Sequence, residues 1–242
     1  MALRAWLAGA FACLLAMQVP AHAQAQAQAP DDATTTAPDS RTSWADGLDV
    51  AEVDGVAASE WTARWWRWVH AFPPGLLPYE DPDGRRCAMG QSGKVWFLAG
   101  TDGHFDARRR CRVPKDAWLL VPLINMLHLG PAHGGRSCAA LKAGAAVNND
   151  RLRSAVAILD GDALPSRAIR RLRTDGCFEL LPARHGIDAT RAAADGYWLL
   201  LPPLPAGRHV LSIGANYAAP GSDYGAMVQD FEYTLDVGEP AI

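Results

Sequence analysis

The chain has no CxxC pair, no hydrophobic run long enough to cross a bilayer and no strong excess of either charge. Without a CxxC pair, the usual entry to a zinc site is missing. The longest apolar run, Ala5 to Met17, falls short of the about 20 residues that a membrane helix needs. A formal net charge of −3 over 242 residues argues against non-specific nucleic-acid binding. Five cysteines are too few for a miniature disulfide scaffold. No segment repeats at the period of about 20 to 50 residues that builds solenoids and propellers. At 49% hydrophobic and 20% charged residues, the composition is globular, which excludes a wholly disordered, collagenous or coiled-coil chain.

Residues 1–23 read as a secretory signal. Arg4 supplies the positive n-region, the apolar run follows, and Ala21-His22-Ala23 is a small-x-small cleavage site before Gln24. Cys13 after Ala12 raises a lipoprotein reading. Ala10 three positions earlier, and continuation of the apolar run through Leu14, Leu15 and Met17, argue against it. Residues 24–42 lack aromatics and nearly lack branched aliphatics, so they read as a disordered tether. Residues 43–242 form the expected single domain. The mature protein is expected to be exported, periplasmic or secreted, with no transmembrane segment.

Cys87, Cys111, Cys138 and Cys177 remain after cleavage. An even count in an exported protein favours two disulfides, with three possible pairings. Cys87–Cys111 with Cys138–Cys177 is favoured because sequential pairing closes the shortest compatible loops.

Ala57 to Phe72 carries helical periodicity. Trp61, Trp65, Trp68 and Phe72 fall on one stripe, with Trp66 off it, and Pro73-Pro74-Gly75 ends the helix. The stripe is expected to dock the helix on a sheet. Trp66 is the ring available as a platform for a glycan. Strands are expected at 94–99, 117–124, 154–160, 177–181, 196–201, 207–213 and 229–237. In the last, Phe231, Tyr233, Leu235 and Val237 alternate with polar residues. Several of these runs are joined by turns alone, which disfavours a parallel α/β fold. The expected fold is mainly β: an antiparallel β-sandwich, immunoglobulin-like or jelly-roll-like, with the Trp-rich helix and two short helical inserts at 137–147 and 166–173.

Several blocks resemble a group of uncharacterised exported bacterial proteins: WTARWWRW, CAMGQSGKVWFLAGT, VPLIN, AAVNNDRLRSAVAILDG and ADGYWLLLPPLPAGRHVLSIGA. The resemblance brings no activity with it. The stretch LPAGRHVLSIGA with FEYTLDV also resembles the last strands of bacterial immunoglobulin-like domains, a likeness of fold alone.

Ser92 lies in GQSGK, but a strand follows it where a hydrolase elbow needs a helix, so it reads as a glycine turn. Asp102, His104 and Asp106 in TDGHFD offer alternate ligands for a divalent metal, or simply turn chemistry. His128 and His133, after a predicted strand, can form a polar pocket with them if the two loops meet. Glu80, Asp81 and Asp83 read as a solvated turn, Asn148-Asn149-Asp150 as a capping junction, and His209 as a packed histidine. Arg108, Arg109, Arg110 and Arg112 form one cationic run and Arg167, Arg170, Arg171 and Arg173 a second; if adjacent they would suit an anionic polymer or lipid headgroup, and otherwise they are solvated faces balanced by acids.

No complete catalytic motif is present, and no cofactor is expected. The leading expectation is a ligand-binding or envelope-associated protein, with a small molecule or glycan as partner. The alternatives are a periplasmic metal-dependent or hydrolytic enzyme using the His/Asp loops, and a glycan-binding module using Trp66.

Overall fold

A computed structural model describes residues 47–131, 135–181, 190–218 and 225–238, all within one unit spanning residues 39–242. The signal peptide at 1–23 and the tether at 24–42 lie outside the described residues. Among the described residues, no helix is long and apolar enough to cross a membrane.

The fold is mainly β. A short hairpin, β1 (Glu52–Val53) and β2 (Val56–Ala57), turns at Asp54-Gly55, both at positive φ (56° and 69°), as a tight two-residue turn requires. It leads into α1 (Ala58–His70). One five-stranded sheet has the order β3-β5-β10-β8, with β9 also on β10. Its members are β3 (Val95–Phe97), β5 (Trp118–Pro131), β8 (Arg170–Arg173), β9 (Phe178–Leu181) and β10 (Thr190–Leu201). The other has the order β4-β12-β11-β6-β7. Its members are β4 (Ala107–Val113), β6 (Leu152–Leu159), β7 (Asp162–Ala163), β11 (Gly207–Ala218) and β12 (Ala226–Val237).

Pairing is not antiparallel throughout. β3 runs parallel to β5, and β4 parallel to β12. These consecutive strands lie on edges of different sheets, so the 98–106 segment carries the chain from one sheet to the other without a hairpin. Alternate residues of both sheets build one buried cluster, in which Leu119, Val121 and Leu199 of the first join Leu211, Phe231 and Leu235 of the second. Fully burying each such side chain stabilises by about 1.5–3 kcal/mol. Pro122 is tolerated inside β5 because it sits at a bulge. Trp198 faces Pro122 and Tyr197 faces Ile124, leaving Leu123 as the extra residue.

α1 docks as expected. Trp61, Trp65, Trp68 and Val69 pack in a second cluster with Phe97, Leu120 and Trp198. The Trp65 Nε1 donates to Leu98 O at 2.8 Å, which gives the buried indole its partner. The insert at 137–147 is helix α2 (Cys138–Ala146), started by Ser137 Oγ, which accepts from Ala140 N at 3.2 Å.

The second insert is not an α-helix and is helical only over its first three residues. Ser166–Ala168 is a 3-10 turn and Arg170–Arg173 is strand β8. Its apolar residues fit both periods, and pairing with β10 decided: Arg171 and Arg173 fall on one face and Leu172 on the other. β4 was read only as a charge run; its arginines alternate with buried Ala107, Cys111 and Val113. Both disulfides have the expected pairing, Cys87–Cys111 and Cys138–Cys177, with Cα–Cα distances of 5.7 and 5.6 Å.

Candidate functional site

A groove of about 430 Å³ lies between α1 and the 90–94 loop. Helical spacing places Trp61, Arg64 and Trp68 on one wall, with Arg67 and Phe72 beside them. Ser92, Gly93 and Lys94 form the opposite wall, and Asp54 of the hairpin turn closes one end.

The loop is fixed from both sides. Trp68 Nε1 donates to Met89 O at 2.8 Å. The Gln91 amide pairs with strand β3 as a neighbouring strand would. Its Oε1 accepts from Phe97 N at 2.9 Å, and its Nε2 donates to Phe97 O at 2.8 Å and Cys87 O at 2.9 Å. Gly90 has φ +63°, and a Cβ there would lie 2.9 Å from the Phe72 ring. Only glycine allows the loop and helix to approach so closely.

The groove's charge is mainly positive, with three cations and one acid among its lining side chains. Arg64 lies over the Trp61 ring at 4.6 Å, and Glu60 partners Arg67 at 3.2 Å and Arg64 at 3.7 Å. Lys94 Nζ sits 3.2 Å from Asp54. These pairs are exposed and weak, so their cations remain open to a stronger anionic partner. Ser92 is exposed in this wall, and no histidine is among the described lining residues.

Trp66 points elsewhere. It is half-buried, edge-on to Trp65 at 4.9 Å, stacked with His70 at 6.0 Å, and packed against the Phe178–Ala192 cluster. Burial also pushes the His70 imidazole below its ordinary pKa.

Asp102 Oδ1 accepts from His104 N at 3.0 Å and lies 3.3 Å from His104 Nδ1, an Asx turn at the surface. Asp106 is exposed. His128 is not on a loop, because β5 runs on to Pro131 and pairs His128 with Ala193. Its Nε2 faces Arg136 Nη1 at 2.5 Å, and its buried Nδ1 has no hydrogen-bond partner among the described residues. His133 lies outside the described residues. Among the described residues, no hydrogen bond or ion pair joins His128 to Asp102, His104 or Asp106. Nor do three His, Cys, Asp or Glu side chains there gather to hold a metal ion.

Three buried polar groups carry more structure than their sequence context suggests. Asp81 is no solvated turn residue. Its carboxylate accepts from Asp83 N, Gly84 N and Arg86 N at 3.3, 3.1 and 2.8 Å. Arg109, from the same run as three exposed arginines, is only 2% exposed. It donates to Asp81 O at 2.6 Å, Ala99 O at 2.5 Å and Tyr233 Oη at 2.8 Å. Burial raises the Tyr233 hydroxyl's pKa, opposed by the Arg109 charge. Asp195 is buried on β10 and accepts from Arg171 Nε and Nη2, both at 2.8 Å, and contacts Arg173 Nε at 2.7 Å. Asp150 of the Asn148-Asn149-Asp150 junction completes this network at 2.7 Å from Arg171 Nη2. Alternation along β4 was the available signal for Arg109. Nothing in the local sequence marks Asp195, whose partners come from β8.

The strand arginines of the two runs lie on different sheets, and only some of them face acids. Arg108 and Arg110 pair with Asp230 and Asp236 at 3.5 and 2.7 Å. His209 is packed, with Nδ1 2.7 Å from Asp160 Oδ2 and Nε2 2.9 Å from Pro205 O. No family model, curated protein or solved structure matches the chain.

Proposed function

We propose that the chain is an exported ligand-binding protein, built as a β-sandwich, whose groove beside α1 takes a small acidic saccharide. The observation that carries this reading is the groove's lining: aromatic edges from Trp68 and Phe72 beneath a rim with three cations and one acid. A sugar ring offers an apolar face to the aromatics, and its acidic group answers Arg64, Arg67 and Lys94. The glycan reading therefore rests on Trp68 and Phe72 instead of Trp66, which faces away. The sandwich reading is supported by a core cluster common to both sheets. Two disulfides suit an oxidising compartment and so support export.

Tryptophan fluorescence tests the reading. Uronate-containing oligosaccharides are expected to give a saturable change that neutral counterparts do not. Arg64→Ala with Lys94→Ala is expected to weaken it by at least about tenfold. A flat response across both classes would end the proposal.

A further inference from the structure

A second recess, of about 300 Å³, lies where residues 84–88 meet β4 at the Cys87–Cys111 disulfide. Arg85, Arg110 and Arg112 line it together with Gly84, Ala88 and the Cys87–Cys111 disulfide, and no acidic side chain does. We propose that this recess binds a phosphate monoester, independently of the groove beside α1.

The argument starts from rigidity. The 81–87 segment is ordered within itself and strapped to the edge strand β4. The Asp81 carboxylate organises the turn. The Cys87–Cys111 bond closes it onto β4. Arg108 N and Arg110 N donate to Pro82 O and Asp83 O at 3.2 and 3.1 Å, so this segment covers the free edge of the sheet. Gly84 has φ +92°, and a Cβ there would lie 2.6 Å from Arg110 O. Backbone therefore meets backbone with no side chain between, and the pocket floor is held in place. Buried Arg109 locks the same segment from inside through Asp81 O.

Charge comes next. Period-two alternation puts Arg110 and Arg112 on the outer face of β4, two residues apart, and the strapped loop brings Arg85 against them. Arg85 pairs with Asp83 at 2.8 Å and Arg110 with Asp236 at 2.7 Å. Arg112 has no ion pair among the described residues. An anion with several oxygens can bridge all three guanidiniums, which a single carboxylate from one strand cannot. Planar guanidinium forks match phosphate oxygens two at a time, and a dianion gains more than a monoanion. The same chemistry is offered by free phosphate, a sugar phosphate or a lipid monoester headgroup.

The test is calorimetric titration of the disulfide-intact protein with inorganic phosphate at constant ionic strength. One site is expected, saturating below about 10 mM. Arg112→Gln is expected to weaken it by about tenfold and Arg85→Gln with Arg112→Gln to remove it. Arg208→Gln, which also touches Asp236 but lies outside the recess, should leave it within about twofold. Unchanged circular dichroism keeps the variants interpretable. A second arm uses vesicles containing phosphatidic acid. Co-sedimentation lost in Arg112→Gln assigns a lipid headgroup, and phosphate binding without co-sedimentation assigns a soluble ester. No saturable heat overturns the proposal, as does an Arg208→Gln loss equal to that of Arg112→Gln, which would indicate a diffuse field.

Discussion

Replacing Arg109 with methionine removes a guanidinium that ties three segments together, and the cost follows from its partners. In the wild type it donates to Asp81 O, Ala99 O and Tyr233 Oη, with Tyr79 O more distant at 3.4 Å. Ala99 O keeps a donor after the change, because Tyr233 Oη also donates to it at 2.8 Å. Asp81 O loses its short bond and is left buried. An orphaned buried acceptor costs about 1–3 kcal/mol, and each charge-assisted bond about 1.5–3 kcal/mol. Against this, methionine relieves the desolvation of a buried cation that has no carboxylate in direct contact among the described residues. The net expected loss is about 2–4 kcal/mol, a large share of the about 5–15 kcal/mol that domains possess. Arg109→Lys keeps the charge but not the fork, so it should recover no more than part of the loss. Urea unfolding followed by circular dichroism measures both variants, with the midpoint falling and the slope unchanged. A methionine variant within about 0.5 kcal/mol of wild type, or a lysine variant equal to it, would refute the reasoning.

Three further outcomes are expected. Asp195→Asn leaves Arg171 and Arg173 facing an amide, but both keep Asp150 and remain partly exposed; calorimetry should show a loss of about 2–3 kcal/mol, or roughly 4–12 °C in Tm. Gly144→Ala places a Cβ 2.5 Å from His128 Nδ1 across the α2–β5 contact. It should cost about 1–3 kcal/mol by overpacking, and His128→Ala in the same background should return at least half of it. On the acid side, hydrogen bonds from Arg110 and then Arg208 hold the Asp236 carboxyl below the usual range. A lowered folded pKa supplies stability above the unfolded value of about 3.9 and loses it as pH falls through the folded value. Asp236→Asn should therefore flatten the fall in urea midpoint below about pH 4, while an unchanged slope there would remove Asp236 from the account.

Much of the fold was legible because burial leaves periodic marks. The Trp stripe gave the helix, and strict alternation gave β12. The even count of four cysteines pointed to two disulfides, and loop length favoured the pairing that is found. What stayed hidden depended on partners distant in sequence. β8 has apolar positions that fit a helix, and only its pairing with β10 selects the strand. β4 looked like a solvated charge run because the carbonyls of 81 and 99 that satisfy its inward arginine lie outside the strand, although alternation with Ala107, Cys111 and Val113 marked the strand itself. His128 looked like a loop residue because the apolar run that marks β5 stops at Ile124, whereas pairing with β10 carries the strand on to Pro131. At the groove, Gly90, Ser92 and Lys94 were read as a turn before a strand, and this was right for the backbone. Their meeting with α1 comes from tertiary approach, fixed by Gln91 and Trp68.

The indole N–H resonances of the folded protein report on the groove most directly. Trp61 and Trp68 line it, while Trp96 and Trp198 are buried away from it. On saturation with a uronate-containing oligosaccharide, the Trp61 and Trp68 indole signals in a proton–nitrogen correlation spectrum should move and those of Trp96 and Trp198 should stay. Four unmoved signals, or movement confined to Trp66, would contradict the account.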